Sequence, residues 1–429
     1  MRTKRFAMEV IESRKDIIFN KLYIILTGLL LISTILGGRF TAINSTSTIG
    51  LLLLWIAEGD FSAKWKRLKS SPLIYLTTFY FLLYVLSVWI SKDKNHALSL
   101  VQREFVIAFI FSSKKLFKKE HIYFLLKIFV YGTFVWMSLA SILAMKQYLL
   151  SGDPAVFLYH TLAYNIDSTA IYASLLCVIS VAIILFVPAS ARWKIILYAF
   201  FTIWLLLLSS RMFLFIHLVI TAVNLFTYLP SKYRFIPVGG IIAIVALLSF
   251  TNNPIKSRFR ELELFKTSYL TQPQFNEATY FDGLSLRLIY IRFSCEIVRE
   301  HNSYLLGVGT GDAATLLQDK ILAYHMYTGD NSISGKGGYL QYSFHNIYLE
   351  SFVSLGIIGL ITLLMLYGYI GYTGIKNRMA LLRDIFIIIF FSSFTDVIIM
   401  HDQCDLSLIL TLSCLSITLI QLKHNEQHL

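Results

Sequence analysis

Three arginines and one histidine have the right chemistry for an anionic substrate: Arg211, Arg287, Arg292 and His345. A guanidinium presents a flat fork of N–H donors and stays charged at any relevant pH, so arginines suit the oxygens of a diphosphate. An imidazole, with an unperturbed pKa of about 6.5, can take a proton from a hydroxyl near neutral pH. Together these groups can hold a phosphate-bearing substrate and supply a general base. Each also has a plainer reading. Arg211 can be an interfacial anchor that snorkels to water, Arg287 and Arg292 can be surface charges, and His345 can be a cap. Asp396, in an apolar run, is open between a functional carboxylate and a helix-packing partner.

Spacing adds information at His345. The segment His345-Asn346 is followed by Gly356 and Gly359. On a straight helix Gly356 falls about 20° from three full turns after His345, and Gly359 about 40° from four turns. Histidine and glycines then share one stripe, which predicts a tight packing seam with His345 at its outer end. The segment Gly307-Val308-Gly309-Thr310-Gly311 lacks the GxGxxG spacing of a dinucleotide site, and no GK[ST] follows it. A tight turn is expected there.

These residues must be positioned by membrane helices. The 429-residue chain is 56% hydrophobic and 15% charged, with mean hydropathy +0.65. That composition excludes a water-soluble protein and implies a polytopic all-α membrane protein. The net charge of +13 comes from short basic clusters between apolar runs; this pattern orients a membrane protein and does not indicate nucleic-acid binding. Spans are predicted near 22–38, 44–58, 73–91, 97–112, 122–145, 167–188, 194–210, 212–229, 235–250, 346–370, 383–400 and 405–422, about twelve in all. The clusters at Lys64–Lys69, Lys114–Lys119, Lys376–Arg383 and the N-terminus fall between alternate spans. Both termini are therefore expected in the cytoplasm.

Residues 251–344 form one long polar connection, expected outside. Three regions follow: 1–250 with about nine helices, the 251–344 loop carrying part of the site, and 345–429 with about three helices. Within the loop, Asn252–Phe265 and Ser285–Arg299 have helical patterns, and Gly335, Gly337 and Gly338 mark turns. Cys177, Cys295, Cys404 and Cys414 form no CxxC pair, so no disulfide framework is expected. The charged segment Met1 to Lys21 precedes the first apolar run without a small-residue cleavage site, so that run is expected to remain as an anchor.

On these motifs the sequence resembles the bacterial O-antigen ligase and O-antigen polymerase superfamily. The diagnostic pattern of that family is a histidine, then Asn, Ser or Gln, nine residues and GxxG. His345-Asn346 with Gly356 and Gly359 matches it in full. Ser210-Arg211 resembles the Ser-Arg pair at the outer end of a mid-chain span. Arg287, some twenty residues before the Gly307-Val308-Gly309 segment, resembles the arginine of the large loop. The resemblance implies a glycosyltransferase C-like membrane fold, with one large periplasmic loop, in the bacterial inner membrane. It implies transfer of a glycan from undecaprenyl diphosphate to an acceptor hydroxyl, with inversion and without metal, nucleotide or other cofactor. The acceptor is lipid A-core for a ligase, placed first, or another lipid-linked glycan for a polymerase. A flippase or transporter is the rival from another class; it would show internal pseudo-symmetry and midplane charges.

Overall fold

The computed structural model describes residues 14–37, 40–101, 103–113, 117–228, 239, 267–277, 279, 281–329, 338–397 and 403–427. Apart from residue 239, the predicted span 235–250 lies outside them, as do the loop helix Asn252–Phe265 and the glycines Gly335 and Gly337. The described chain is built from helices. In chain order they are α1 (Arg14–Leu36), α2 (Thr41–Glu58), α3 (Phe61–Lys69), α4 (Pro72–Ile90), α5 (Lys94–Ser99), α6 (Val106–Ser113), α7 (Lys119–Ser151) and α8 (Tyr159–Tyr164). They continue with α9 (Ala170–Phe186), α10 (Ala191–Leu208), α11 (Arg211–Tyr228), α12 (Gly283–Glu300), α13 (Ala313–Ala323), α14 (Ile347–Lys376), α15 (Ala380–Ser392) and α16 (Gln403–Gln427). Among the described residues, six helical segments are long and apolar enough to cross a membrane: 17–36, 72–90, 119–151, 191–208, 347–376 and 406–424. The protein is a helical membrane protein.

Helix α9 has no polar face. Its buried positions run continuously from Ala173 to Ile184, as expected for a helix enclosed by others. Thr169 caps it, accepting a hydrogen bond from the Tyr172 N–H at 3.1 Å. Outer helices keep an apolar exposed side: Trp89 on α4, Ile142 and Leu149 on α7, and Ile195 and Ile196 on α10. An exposed apolar side of this kind suits a lipid surrounding.

The predicted span 97–112 is not one helix. Helix α5, a 3-10 turn at Arg103–Phe105 and α6 replace it. Arg103 and Glu104 interrupt the apolar run, and the eight-residue α6 is about 12 Å long against a hydrocarbon core of about 30 Å. The chain still runs from one end of the helix bundle to the other here. Ser91, just after α4, accepts a hydrogen bond from the Gly311 N–H at 3.1 Å. Lys119, which opens α7, lines a cavity with Lys376 and Lys423 at the far ends of α14 and α16. The part of α14 beyond the break at Gly356 separates those two ends by about 30 Å.

The straight stripe predicted through His345, Gly356 and Gly359 does not form. His345 precedes α14 with φ 47, and Gly356 (φ 69, ψ −168) breaks the helix from within. The 304–309 loop fills the break by backbone pairing. Val308 N–H donates to Val353 O at 2.8 Å and Gly309 N–H to Ser354 O at 3.1 Å, while Ile357 N–H donates to Tyr304 O at 2.8 Å. A Cβ on Gly356 would overlap the Leu305 carbonyl, and one on Gly307 would overlap the Ser354 backbone. The two glycine motifs are thus two sides of one clasp. Its other flank is fixed to the end of α4: Thr310 Oγ1 meets Ser87 Oγ at 2.8 Å, and Asp312 accepts from Lys92 N–H at 2.8 Å.

Gly356→Leu is therefore expected to reduce the yield of folded protein and lower the melting temperature in detergent. The left-handed backbone alone costs about 1–3 kcal/mol for a side-chain-bearing residue, and the overlap with Leu305 adds to it. An unchanged melting temperature would remove the clasp as a structural requirement.

The 267–344 segment has its own apolar core. Phe275, Phe281, Ile289, Phe293, Leu317 and Phe344 pack together, with Val353 of α14 joining them. Helix α12 is the predicted Ser285–Arg299 helix; Asp282 caps it, accepting from Leu284 N–H at 2.8 Å and Ser285 N–H at 3.2 Å. Burial raises the Asp282 carboxyl, but the hydrogen bonds from Ser285 and Leu284 outweigh it and leave the group below its ordinary value.

Candidate active site

Four chain segments meet at one face. The first is the turn between α10 and α11. Ser209 ends α10 in the left-handed conformation (φ 51), Ser210 O receives the Leu214 N–H at 2.9 Å, and Arg211 is the first residue of α11. The second is the start of α12, which carries Arg287. The third is the start of α14. Asn346 caps it, accepting from Tyr348 N–H at 2.9 Å and Leu349 N–H at 3.1 Å, and so fixes His345 just outside the helix. The fourth is the turn after α15, residues 393–397.

That fourth segment differs from expectation. The predicted span 383–400 stops as a helix at Ser392, and Ser392 O then takes the N–H groups of Thr395 at 2.9 Å and Asp396 at 3.2 Å. Asp396 consequently lies in a turn instead of interrupting a span. The turn is anchored to the start of α14, with Ile347 N–H donating to Ser393 O at 3.0 Å and Asn346 Nδ2 to Phe394 O at 3.4 Å. Asp396 Oδ1 stands 3.9 Å from His345 Nδ1.

Arg287 joins the same cluster. Its Nη1 donates to Gly283 O at 2.6 Å and its Nη2 to Thr395 O at 2.5 Å, which ties α12 to the Asp396 turn. Its Nε is buried with no hydrogen-bond partner among the described residues. Burial pushes the guanidinium below its ordinary value; the Asp396 carboxylate opposes that shift and the Arg211 guanidinium adds to it. An anion beside the two guanidiniums would offset their mutual repulsion.

The tertiary structure also brings in residues that no motif marked. Tyr290, one turn after Arg287, stacks on the His345 ring with centroids 6.4 Å apart and 17° between planes, and Tyr342 meets that ring edge-on at 5.1 Å. The Tyr290 hydroxyl is buried without a partner among the described residues. Tyr159, at the start of α8, is near enough to act on the Arg287 charge. The sequence between 146 and 170 carries no recognisable motif, so only the fold places Tyr159 here. For Tyr290, the spacing of three from Arg287 was the available signal.

Arg292 is not brought into this cluster. It lies five residues after Arg287, about 140° around α12. Its Nε donates to Glu296 at 2.8 Å, its Nη1 to Gln272 O at 2.6 Å and its Nη2 to the Tyr324 hydroxyl at 2.8 Å. Lys320 completes the network, 3.0 Å from Glu296. Gly307, Gly309 and Gly356 belong to the clasp, whereas a Cβ on Gly359 would meet the Leu355 side chain of its own helix. Among the described residues, no group of three or more His, Cys, Asp and Glu residues gathers as metal ligands would.

Comparison with known proteins gives one family. Residues 195–364 match the family model described as O-antigen ligase. The matched segment contains Arg211, Arg287 and the whole of the His345 to Gly359 motif; Asp396 lies beyond it. No curated protein matches the chain.

Proposed function

From its O-antigen ligase domain over residues 195–364, which places the chain in the O-antigen ligase and polymerase superfamily, we propose an inner-membrane glycosyltransferase with its site facing the periplasm. The donor is a glycan on undecaprenyl diphosphate and the acceptor a hydroxyl of lipid A-core. The observation that carries this reading is the meeting of Arg211 and Arg287 beside the His345–Asp396 pair. In the transfer, the acceptor oxygen attacks the anomeric carbon and its proton passes to His345 Nε2. The bond from that carbon to the diphosphate breaks, and the electron pair leaves with the diphosphate. Arg211 and Arg287 bind the charge that develops on the leaving group, which stabilises the transition state more than the ground state. Asp396, on the Nδ1 side, stabilises the imidazolium that forms. Attack without a covalent intermediate inverts the anomeric centre, and no metal takes part.

The test uses the purified full-length protein with lipid-linked glycan and each acceptor separately. The expected product is glycosylated lipid A-core, formed equally well in EDTA. Product only on a second lipid-linked glycan assigns the polymerase instead. Absence of transfer to both acceptors, with glycan export surviving in His345→Ala cells, would overturn the enzyme reading in favour of a transporter.

A further inference from the structure

On the face opposite His345, a cavity of about 560 Å³ opens between the ends of α7, α9, α14 and α16. We propose that it binds the phosphate-bearing headgroup of an anionic phospholipid. Four cations line it: Lys119, Lys376, Arg378 and Lys423, with His424 beside them and Glu426 as the single carboxylate. All four cations are solvent-exposed, and among the described residues none is in an ion pair. The floor is apolar, made by Tyr123, Phe186, Met379 and Leu419, with the Tyr123 and Phe186 rings 6.0 Å apart. A cationic rim above an apolar floor matches the two parts of a phospholipid, and α7, α14 and α16 each contain a membrane-crossing segment. The cavity therefore lies at headgroup depth, where basic pockets between helices take acidic lipids.

Helix-end electrostatics alone does not explain this arrangement. Lys376 and Lys423 stand in or near the last turns of their helices, where the macrodipole favours cations, but Lys119 opens α7, where it does not. Arg378 occupies a left-handed position (φ 51) that closes α14 by the Met379 N–H to Gly374 O bond at 2.8 Å, a place usually given to glycine. The turn is held against α16 by His424 Nε2 and Asn377 Oδ1, 3.3 Å apart.

The site is tested by reconstituting the full chain in bilayers of equal parts phosphatidylglycerol and phosphatidylcholine. The lipid retained after extraction into neutral detergent is then measured by native mass spectrometry. Wild type is expected to retain phosphatidylglycerol in preference, and excess inorganic phosphate to leave it in place. Arg378→Gly, which suits the backbone there, and Lys119→Gln, at an exposed helix start, should each lower the preference about fivefold with unchanged melting temperature. Lys66→Gln with Arg67→Gln, cations of α3 outside the cavity, should not lower it. Equal retention by wild type and cavity variants would overturn the proposal. So would displacement of the lipid by inorganic phosphate, which would make this a small-anion site.

Discussion

His345→Ala is expected to lower glycan transfer about 10²- to 10⁴-fold, the usual contribution of a positioned general base. The amount of protein in the membrane should not change. Besides the weak contact of its N–H with Ser343 Oγ at 3.4 Å and the approach of Asp396 at 3.9 Å, His345 is held by ring contacts with Tyr290 and Tyr342 and by the cap at Asn346. Because its backbone is left-handed, His345→Asn is the better-matched companion; asparagine tolerates that conformation and cannot act as the base. Asp396→Asn should give a smaller loss, and adding it to His345→Ala should cost little more, since both residues act on one proton. Wild-type turnover in His345→Asn would remove the base assignment.

Arg287→Ala should reduce kcat about 10²- to 10³-fold with a smaller change in KM, as for loss of a group that binds developing charge. Arg287→Lys is expected to stay within about tenfold of the alanine variant. A single ammonium cannot reach both Gly283 O and Thr395 O while still meeting the substrate, so restoring the charge does not restore the fork. Arg292→Ala is the internal comparison. Its guanidinium is already engaged by Glu296, Gln272 and Tyr324, so its loss should lower melting temperature more than kcat. If Arg287→Lys turned over like wild type, the two carbonyl contacts would be irrelevant and the charge alone sufficient.

The family was more legible in the sequence than the geometry was. The pattern of His345, Asn346, Gly356 and Gly359 pointed to a family, and the family match over 195–364 agrees. The spacing nevertheless serves a backbone clasp and not a straight packing stripe. A periodic argument assumes an unbroken helix, and Gly356 breaks this one so that the 304–309 loop can pair with its exposed backbone. Asn346, read only as part of a motif, is a helix cap whose side chain also holds the Asp396 turn.

By itself the sequence determined the solvent of this protein and its all-helical class. Apolar length and the position of basic clusters are local properties, and a bilayer leaves a chain of this composition few alternatives to helices. It also determined the identity of Arg211, Arg287 and His345 as residues with chemistry to offer. Only the tertiary structure decided which of them meet. Arg287 and Arg292 have the same chemistry and lie on the same helix, yet one faces Asp396 and the other Glu296. The direction that helix faces is set by an apolar core gathered from residues 269–353. Such long-range packing leaves no periodic mark in the chain, and so the site had to be read from the fold.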